Sequence, residues 1–169
     1  GLLYEGHRVT PYCGRCGTAL SSHEVAQGYE DVVDPSIYVR FPLTGDGAPD
    51  ADLLVWTTTP WTLISNVAAA VGPSFTYVRI ADPAGGRDVV LGERAAERLY
   101  PGAEVRAHWS GAAMAGWHYD RPFDFLEPVV GKDAWRVVAA DYVADDDGSG
   151  IVHIAPAFGE DDAQVGRAE

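Results

Sequence analysis

Short segments typical of β-strands recur along the chain from residue 36 to residue 154, either alternating polar and apolar or rich in β-branched and aromatic residues. Gly, Pro and Asp fill the links between them. The pattern predicts strands over residues 36–41, 52–58, 67–71, 75–80, 87–91, 105–109, 135–143 and 151–154. Helical patterns are confined to residues 93–99 and 160–168. We therefore expect an all-β fold, a β-barrel or sandwich with a few short helices.

The length and composition fit one globular domain. The chain has 169 residues, 47% of them hydrophobic and 22% charged, which is enough to build a core and argues against disorder. No apolar run approaches the roughly 20 residues of a membrane span, and the first residues lack the features of a signal peptide. Since Gly1 stands where an initiator Met is expected, we interpret the sequence as a segment of a longer chain.

The charge is strongly acidic. Twelve Lys and Arg residues against 25 Asp and Glu residues give a net charge of −13. This excludes a protein that holds nucleic acid by non-specific neutralisation of phosphates, which requires a basic face. It leaves open the recognition of one nucleotide end in a pocket.

The two cysteines, Cys13 and Cys16, form a single C-x-x-C. This spacing supplies half of a tetrahedral zinc site, which His7 and His23 could complete or which residues outside the segment could complete. A redox role is less favoured because no βαβ pattern follows. With no disulfide framework in the sequence, we expect a cytoplasmic protein.

Several catalytic motifs are absent from the sequence. Residues 23–27 begin like the zinc protease motif H-E-x-x-H, but Gln27 stands at the second ligand position. There is neither a P-loop nor a G-x-G-x-x-G motif. The sequence therefore predicts no ATP or dinucleotide site in this chain.

Residues 56–66 concentrate hydroxyl groups, two tryptophans and the chain's single asparagine, Asn66. Three consecutive threonines are common as plain strand residues, and composition alone favours that interpretation. Pro60 changes it, because a proline stops the strand at Thr59 and places the last hydroxyls at a bend beside a strand end.

Residues 150–162 run from a buried strand through Pro156 into an acidic helix start. Taken singly, Asp161 and Asp162 would interact favourably with the helix dipole, and His153 would be an ordinary core histidine. Together with residues 56–66, they indicate a functional site.

Three strings carry a resemblance to a known family: Y-C-G-R-C-G-T-A-L-S-S-H-E-V over residues 12–25, W-T-T-T-P-W-T-L-I-S-N over residues 56–66, and G-S-G-I-V-H-I-A-P-A-F-G-E-D-D over residues 148–162. Y-D-R-P-F-D-F over residues 119–125 adds a fourth. The chain resembles, over nearly its whole length, the editing domain (connective peptide 1, CP1) of isoleucyl-tRNA synthetases. Residues 1–35 would then be a turn-rich link to the synthetase core, and residues 36–169 the editing β-barrel.

The resemblance implies hydrolysis of the ester of mischarged Val-tRNA(Ile), with Ile-tRNA(Ile) spared. Asp162 would bind the substrate's ammonium group, and the remaining catalytic positions are Thr57, Thr58 and Thr59. No covalent intermediate is expected, because the ester is already activated and a ribose hydroxyl is adjacent to it.

Three further residues are expected to bind substrate. Trp61 and His153 would shape the side-chain pocket, with His153 blocking the extra methylene of isoleucine, and Asn66 would support the site. A rival from another class is a non-catalytic β-module that binds valine or a partner protein. An editing domain that has lost its activity is a third alternative, which the intact Thr, His and Asp positions argue against.

The sequence departs from the family in two places. Ile64 and Ser65 stand where the family often has Pro and a small residue, and the second C-x-x-C of the family's zinc site is absent. We therefore expect editing to need no cofactor, with zinc held through Cys13 and Cys16 only in the full-length enzyme and ATP used only by that enzyme. The expected partners are the tRNA(Ile) 3′ end and the other synthetase domains. No membrane is involved, and the isolated segment is expected to be monomeric.

Overall fold

The computed structural model describes residues 3–125 and 133–169, and most of its regular structure is β-strand. The strands are β1 (Tyr12–Cys13), β2 (Thr18–Ala19), β3 (Ile37–Thr44), β4 (Asp52–Thr57), β5 (Ala68–Val71), β6 (Thr76–Ile80), β7 (Val89–Gly92), β8 (Val105–Ser110), β9 (His118–Tyr119), β10 (Arg136–Ala139) and β11 (Ile151–Ile154). The helices are α1 (Ser22–Ala26), a 3₁₀ helix (Pro60–Ser65), α2 (Glu93–Leu99), α3 (Gly111–Met114) and α4 (Glu160–Ala168).

Six of these strands close into a barrel in the order β3–β4–β11–β5–β10–β9, with β9 returning to β3. The β4–β11 and β5–β10 pairs are parallel and the other four are antiparallel. Strand β4 also pairs with β7, which extends the sheet outward through β6 to β8. Closure leaves no free edge within the barrel itself. The expected all-β barrel with a few short helices is confirmed.

Apolar side chains fill the inside of the barrel. The most buried of them come from four strands and include Phe41, Leu53, Val55, Val71 and Ile151. Alternation along each strand directs these residues inward, while their neighbours pack against the helices outside. One outer cluster lies under α2 and the other includes Val165 of α4, so both helices are held by burial of apolar surface.

The predicted elements agree with the structure at most positions. Strand β11 and helices α2 and α4 have the predicted bounds. The strand predicted over residues 135–143 is shorter, because the chain turns away from the sheet after Ala139. Strand β4 ends at Thr57, whereas the position of Pro60 predicted that the strand would end at Thr59. Residues 58 and 59 already lead into the 3₁₀ helix. The two-residue strand β9 was not predicted.

The first part of the chain forms a small separate hairpin followed by a short helix. Strands β1 and β2 pair around the C-x-x-C turn, and α1 begins with a capping box in which Ser21 and Glu24 bond reciprocally. Helix α1 has no buried residue. Across the part of the chain that the structure describes, no helix combines the length and apolar character needed to cross a bilayer.

Candidate functional site

A cavity of about 370 Å³ opens where β4 and β11 separate. The two strands pair at Trp56 and Val152, and beyond that point β4 leads into the 3₁₀ helix while β11 leads to α4. Two segments far apart in the sequence therefore face each other across the opening. The cavity is lined by Trp56, Thr57, Thr58, Thr59, Trp61, Thr62, Tyr142, Val152, His153, Phe158, Gly159 and Asp162.

One side of the cavity, which we call the hydroxyl wall, consists of Thr57, Thr59, Thr62 and His153. The Thr57 hydroxyl accepts a hydrogen bond from the Thr59 backbone N–H at 3.0 Å, and the Thr59 hydroxyl lies 3.4 Å from those of both Thr57 and Thr62. The Thr62 hydroxyl donates to the Thr59 carbonyl at 2.8 Å and lies 2.9 Å from Nε2 of His153. The wall is thus one connected chain of hydrogen bonds.

These hydrogen bonds determine which ring nitrogen of His153 carries the hydrogen. Because the Thr62 hydroxyl gives its only hydrogen to the Thr59 carbonyl, Nε2 of His153 is the donor to Thr62, which leaves Nδ1 without a hydrogen in the neutral ring. Nδ1 is buried and has no hydrogen-bond partner within residues 3–125 and 133–169. Burial lowers the pKa of His153 below its ordinary value, although the nearby Asp162 carboxylate acts in the opposite direction. His153 is therefore neutral near pH 7.

A second group of lining residues, which we call the carboxylate wall, consists of Asp162 and Tyr142, with the Ala155 backbone N–H bonded to Asp162 behind them. Oδ2 of Asp162 accepts a hydrogen bond from Ala155 N at 2.8 Å, and Oδ1 accepts one from the Tyr142 hydroxyl at 3.3 Å. Asp162 lies in the first turn of α4, where the helix dipole favours a negative charge. The wall presents a fixed carboxylate to the cavity.

Two glycines allow this packing. A Cβ on Gly159 would lie 3.1 Å from Cγ of Asp162, and a Cβ on Gly148 would lie 2.6 Å from the Trp56 ring. Gly148 also has a φ of +60°, which side chains rarely tolerate. Any larger residue would displace the Asp162 carboxylate or the Trp56 ring.

The rim of the cavity is open to solvent. Trp61 is 67% exposed and Phe158 is 57% exposed, and Thr58 is also exposed. Thr57, Thr62 and His153, in contrast, are buried. Large exposed aromatic side chains beside a polar cavity are suited to contact a flat ring such as a nucleobase.

The structure does not bring Asn66 into the lining. Asn66 is buried, donates from Nδ2 to the Ala68 carbonyl at 2.8 Å and accepts from the Tyr119 hydroxyl at 2.7 Å. Its backbone N–H bonds to the Leu63 carbonyl at the end of the 3₁₀ helix. Asn66 thus fastens the helix that carries Thr62 to the barrel.

Six lining residues were not among the predicted site residues, and two of these, Thr62 and Tyr142, hydrogen-bond to a predicted one through their side chains. Thr62 stands in the W-T-T-T-P-W-T string, and a 3₁₀ turn starting at Pro60 would have placed it beside Thr59. Tyr142 lies in a turn after β10 and belongs to none of the motif strings. No signal in the sequence could have placed it next to Asp162.

Cys13 and Cys16 lie apart from the cavity lining, in the exposed β1–β2 hairpin. The Cys16 backbone N–H donates to Sγ of Cys13 at 3.3 Å, and this bond is the main cause of a lowered pKa of the Cys13 thiol. Nε2 of His23 instead lies 2.8 Å from Gln27. Within the described ranges no group of three or more His, Cys, Asp or Glu residues is placed to hold a metal, so neither His7 nor His23 completes a site there. The donor set does not fit zinc, which requires four ligands.

Comparison with known proteins finds relatives that match nearly the whole chain. It is 54% identical over 171 residues to the isoleucine–tRNA ligase of Streptomyces coelicolor, covering 99% of this chain and 16% of that protein. The corresponding enzyme of Thermus thermophilus is 49% identical, again over 99% of this chain and 16% of its own length. The chain is homologous to one segment of isoleucine–tRNA ligases. The resemblance drawn from the motif strings is thus confirmed, and the chain spans about a sixth of these relatives.

Solved structures show the same fold. The GlLeuRS-CP1 crystal structure matches with a TM-score of 0.59 at 16% identity, over 72% of this chain and 53% of that one. The editing domain of the Plasmodium falciparum cytosolic leucyl-tRNA synthetase matches with a TM-score of 0.54 at 12% identity, over 67% of this chain and 44% of that one. No protein-family model matches the chain. The homologous segment therefore has the fold of synthetase CP1 editing domains.

Proposed function

We propose that this chain is the post-transfer editing domain of an isoleucyl-tRNA synthetase, hydrolysing the ester of Val-tRNA(Ile) and sparing Ile-tRNA(Ile). The parent enzyme would be a cytoplasmic ligase that joins isoleucine to tRNA(Ile) with ATP at a site outside this segment. The observation that carries the proposal is the pairing of a fixed carboxylate with a chain of hydroxyls and a neutral histidine in one cavity. Homology and fold agree with it.

A second, hydrolytic site is needed because binding in an apolar pocket discriminates only weakly between similar amino acids. One methylene in an apolar pocket contributes about 1–3 kcal/mol, and discrimination of isoleucine from valine by this synthetase is itself the known example of that limit. A site that excludes the larger amino acid by size and hydrolyses the smaller one multiplies the selectivity.

The carboxylate wall supplies a site for the ammonium group of the aminoacyl ester. Asp162 carries the charge, and two donors fix the orientation of its oxygens. A charge-assisted hydrogen bond from the ammonium to this carboxylate would place the ester carbonyl toward the hydroxyl wall. Free amino acids and their esters share this group, so Asp162 would contribute affinity for both valyl and isoleucyl substrates.

The hydroxyl wall supplies the size limit. His153 is held by Thr62 and by burial, so its ring cannot swing aside to admit an additional methylene. Trp61, at the rim, would complete the side-chain pocket. We infer that valine fits against this wall and that isoleucine collides with it.

Hydrolysis would proceed without a protein nucleophile. The Thr57 hydroxyl is bonded to the Thr59 hydroxyl and the Thr59 backbone N–H, and the Thr59 hydroxyl also lies 3.4 Å from that of Thr62. These bonds suit the two hydroxyls to hold the carbonyl oxygen or a water rather than to attack. The exposed Thr58 hydroxyl would contact the terminal adenosine. Positioning and charge stabilisation then act on an ester that is already activated. Trapping of an acyl-enzyme would contradict this mechanism.

The deciding experiment is deacylation of Val-tRNA(Ile) and Ile-tRNA(Ile) by the full-length protein that carries this chain and by its Asp162→Ala variant. Asp161→Ala is the matched control, because Asp161 is the exposed neighbour in the same helical turn and does not line the cavity. We expect the wild type to hydrolyse Val-tRNA(Ile) but not Ile-tRNA(Ile). Asp162→Ala should abolish this hydrolysis, and Asp161→Ala should preserve it. A protein that binds valine without hydrolysing either ester would instead be a binding module.

A further inference from the structure

Tyr142 is the one residue of the carboxylate wall that comes from outside both motif strings. It lies in a turn between Ala140 and Val143, both buried, and the Val143 backbone N–H bonds to the Ala140 carbonyl at 3.3 Å. Because its neighbours are anchored in the core, the Tyr142 side chain is held over the cavity although it is 40% exposed.

Its hydroxyl is placed to serve the carboxylate. It donates to Oδ1 of Asp162 at 3.3 Å, while Oδ2 is already occupied by the Ala155 N–H at 2.8 Å. Burial and the neighbouring Asp162 and Asp161 charges raise the pKa of Tyr142, so the phenol keeps its hydrogen throughout the neutral range. The phenol oxygen still has lone pairs that can accept a second hydrogen bond.

We propose that Tyr142 helps to bind the substrate's ammonium group: its hydrogen fixes Oδ1 of Asp162, and its oxygen accepts an ammonium N–H. This inference rests on the proposed function. It makes the ammonium site a pair of acceptors, one charged and one neutral, rather than a single carboxylate. Two acceptors on different elements define a direction for the ammonium, which a lone carboxylate on one helix does not.

The test is the binding of two non-hydrolysable ligands to the full-length protein that carries this chain. One is an amide-linked valyl-adenosine, and the other is the 3-methylbutanoyl amide, which has the same carbon skeleton without the ammonium. We expect Tyr142→Phe to raise the Kd of the valyl ligand by about 3- to 10-fold, the range of one ordinary hydrogen bond, because the site is partly exposed, and to leave the other Kd unchanged. Tyr29→Phe, at an exposed tyrosine outside the cavity lining, should change neither.

A double variant shows whether the two acceptors act together. If Tyr142 works through Asp162, Tyr142→Phe should have a much smaller effect in the Asp162→Asn background. Equal weakening of both ligands by Tyr142→Phe, no weakening of either, or full additivity with Asp162→Asn would each overturn the proposal while leaving valyl-ester hydrolysis by the wild type intact. A wild type that hydrolyses no valyl ester and binds neither ligand would contradict the proposed function, and this inference with it.

Discussion

The two walls of the cavity differ in charge and in burial. The hydroxyl wall is neutral, and its innermost residues, Thr62 and His153, are buried and bonded to each other. The carboxylate wall is negatively charged and partly open to solvent. Valine and isoleucine share the ammonium group and differ by one methylene. In the proposed function, the difference between the walls would separate two tasks, since the charged wall would contribute only common affinity and discrimination would come from the neutral one.

Removing the charge of the carboxylate wall should have the largest effect. Asn in place of Asp162 keeps the shape of the side chain and an oxygen for the Ala155 N–H but loses the charge. We expect valyl-ester hydrolysis to fall by about 100-fold, because a charged hydrogen bond contributes up to about 3 kcal/mol. Isoleucyl-ester hydrolysis should stay at background. A gain of activity on the isoleucyl ester would show that the charged wall also discriminates, and the separation of tasks would be wrong.

Shortening His153 should have the converse result. His153→Ala removes the ring that limits the cavity, so we expect isoleucyl-ester hydrolysis to rise by about tenfold, the order of one methylene's contribution. Valyl-ester hydrolysis should change much less. The same two deacylation assays measure it, with His118→Ala as the control, since His118 is exposed and does not line the cavity. An equal fall on both esters would indicate that His153 acts in the chemistry rather than in selection.

More of the hydroxyl wall than of the carboxylate wall could be predicted from the sequence. Thr57, His153 and Asp162 stand in motif strings, and their strand and helix assignments agree with the structure. Thr59 stands in a motif string too, but it lies beyond the end of β4, at the start of the 3₁₀ helix. The strand pattern alone left a barrel and a sandwich open, and the pairing that closes the barrel could not be read from it, because parallel pairing of β4 with β11 joins Trp56 to Val152 and a strand pattern carries no information about partners.

Contacts made by turns escaped the sequence interpretation for a related reason. The position of Tyr142 beside Asp162 depends on how the chain leaves β10, and neither periodicity nor residue type encodes that path. Asn66 shows the opposite case. It was singled out by its motif, yet the structure gives its side chain two partners in the barrel and no place in the lining.

Removing the Thr62 hydroxyl from the hydroxyl wall should have a smaller effect, a lower free energy of unfolding. Thr62→Val keeps the shape but leaves Nε2–H of His153 without its partner, while the Thr59 carbonyl keeps the hydrogen bond from the backbone N–H of residue 62. We expect the free energy of unfolding to fall by about 1 kcal/mol, the lower range for a buried polar group left unsatisfied. Denaturant unfolding measures it, with the exposed Thr76→Val as control. An unchanged free energy of unfolding would mean that the hydroxyl chain does not hold His153 in place.

The last expected effect is a pH dependence that links the two walls. Burial lowers the pKa of His153 in the folded state below its ordinary value of 6.5, so between the two values the unfolded chain binds more protons. Stability should therefore fall as the pH drops below about 6.5 and level off below the folded pKa, with about 1.4 kcal/mol for each unit of difference. Unfolding free energies between about pH 8 and pH 5 measure this, and His153→Asn should lack this contribution.

Asp162 determines how large this acid loss becomes. Its carboxylate favours the protonated form of His153, so removal of its charge in Asp162→Asn should lower the pKa of His153 further. The acid destabilisation should then be larger in Asp162→Asn than in the wild type and should disappear in the Asp162→Asn, His153→Asn double variant. An identical dependence of stability on pH in Asp162→Asn and the wild type would show that the charge of Asp162 does not affect the pKa of His153. The two walls would then be electrostatically independent.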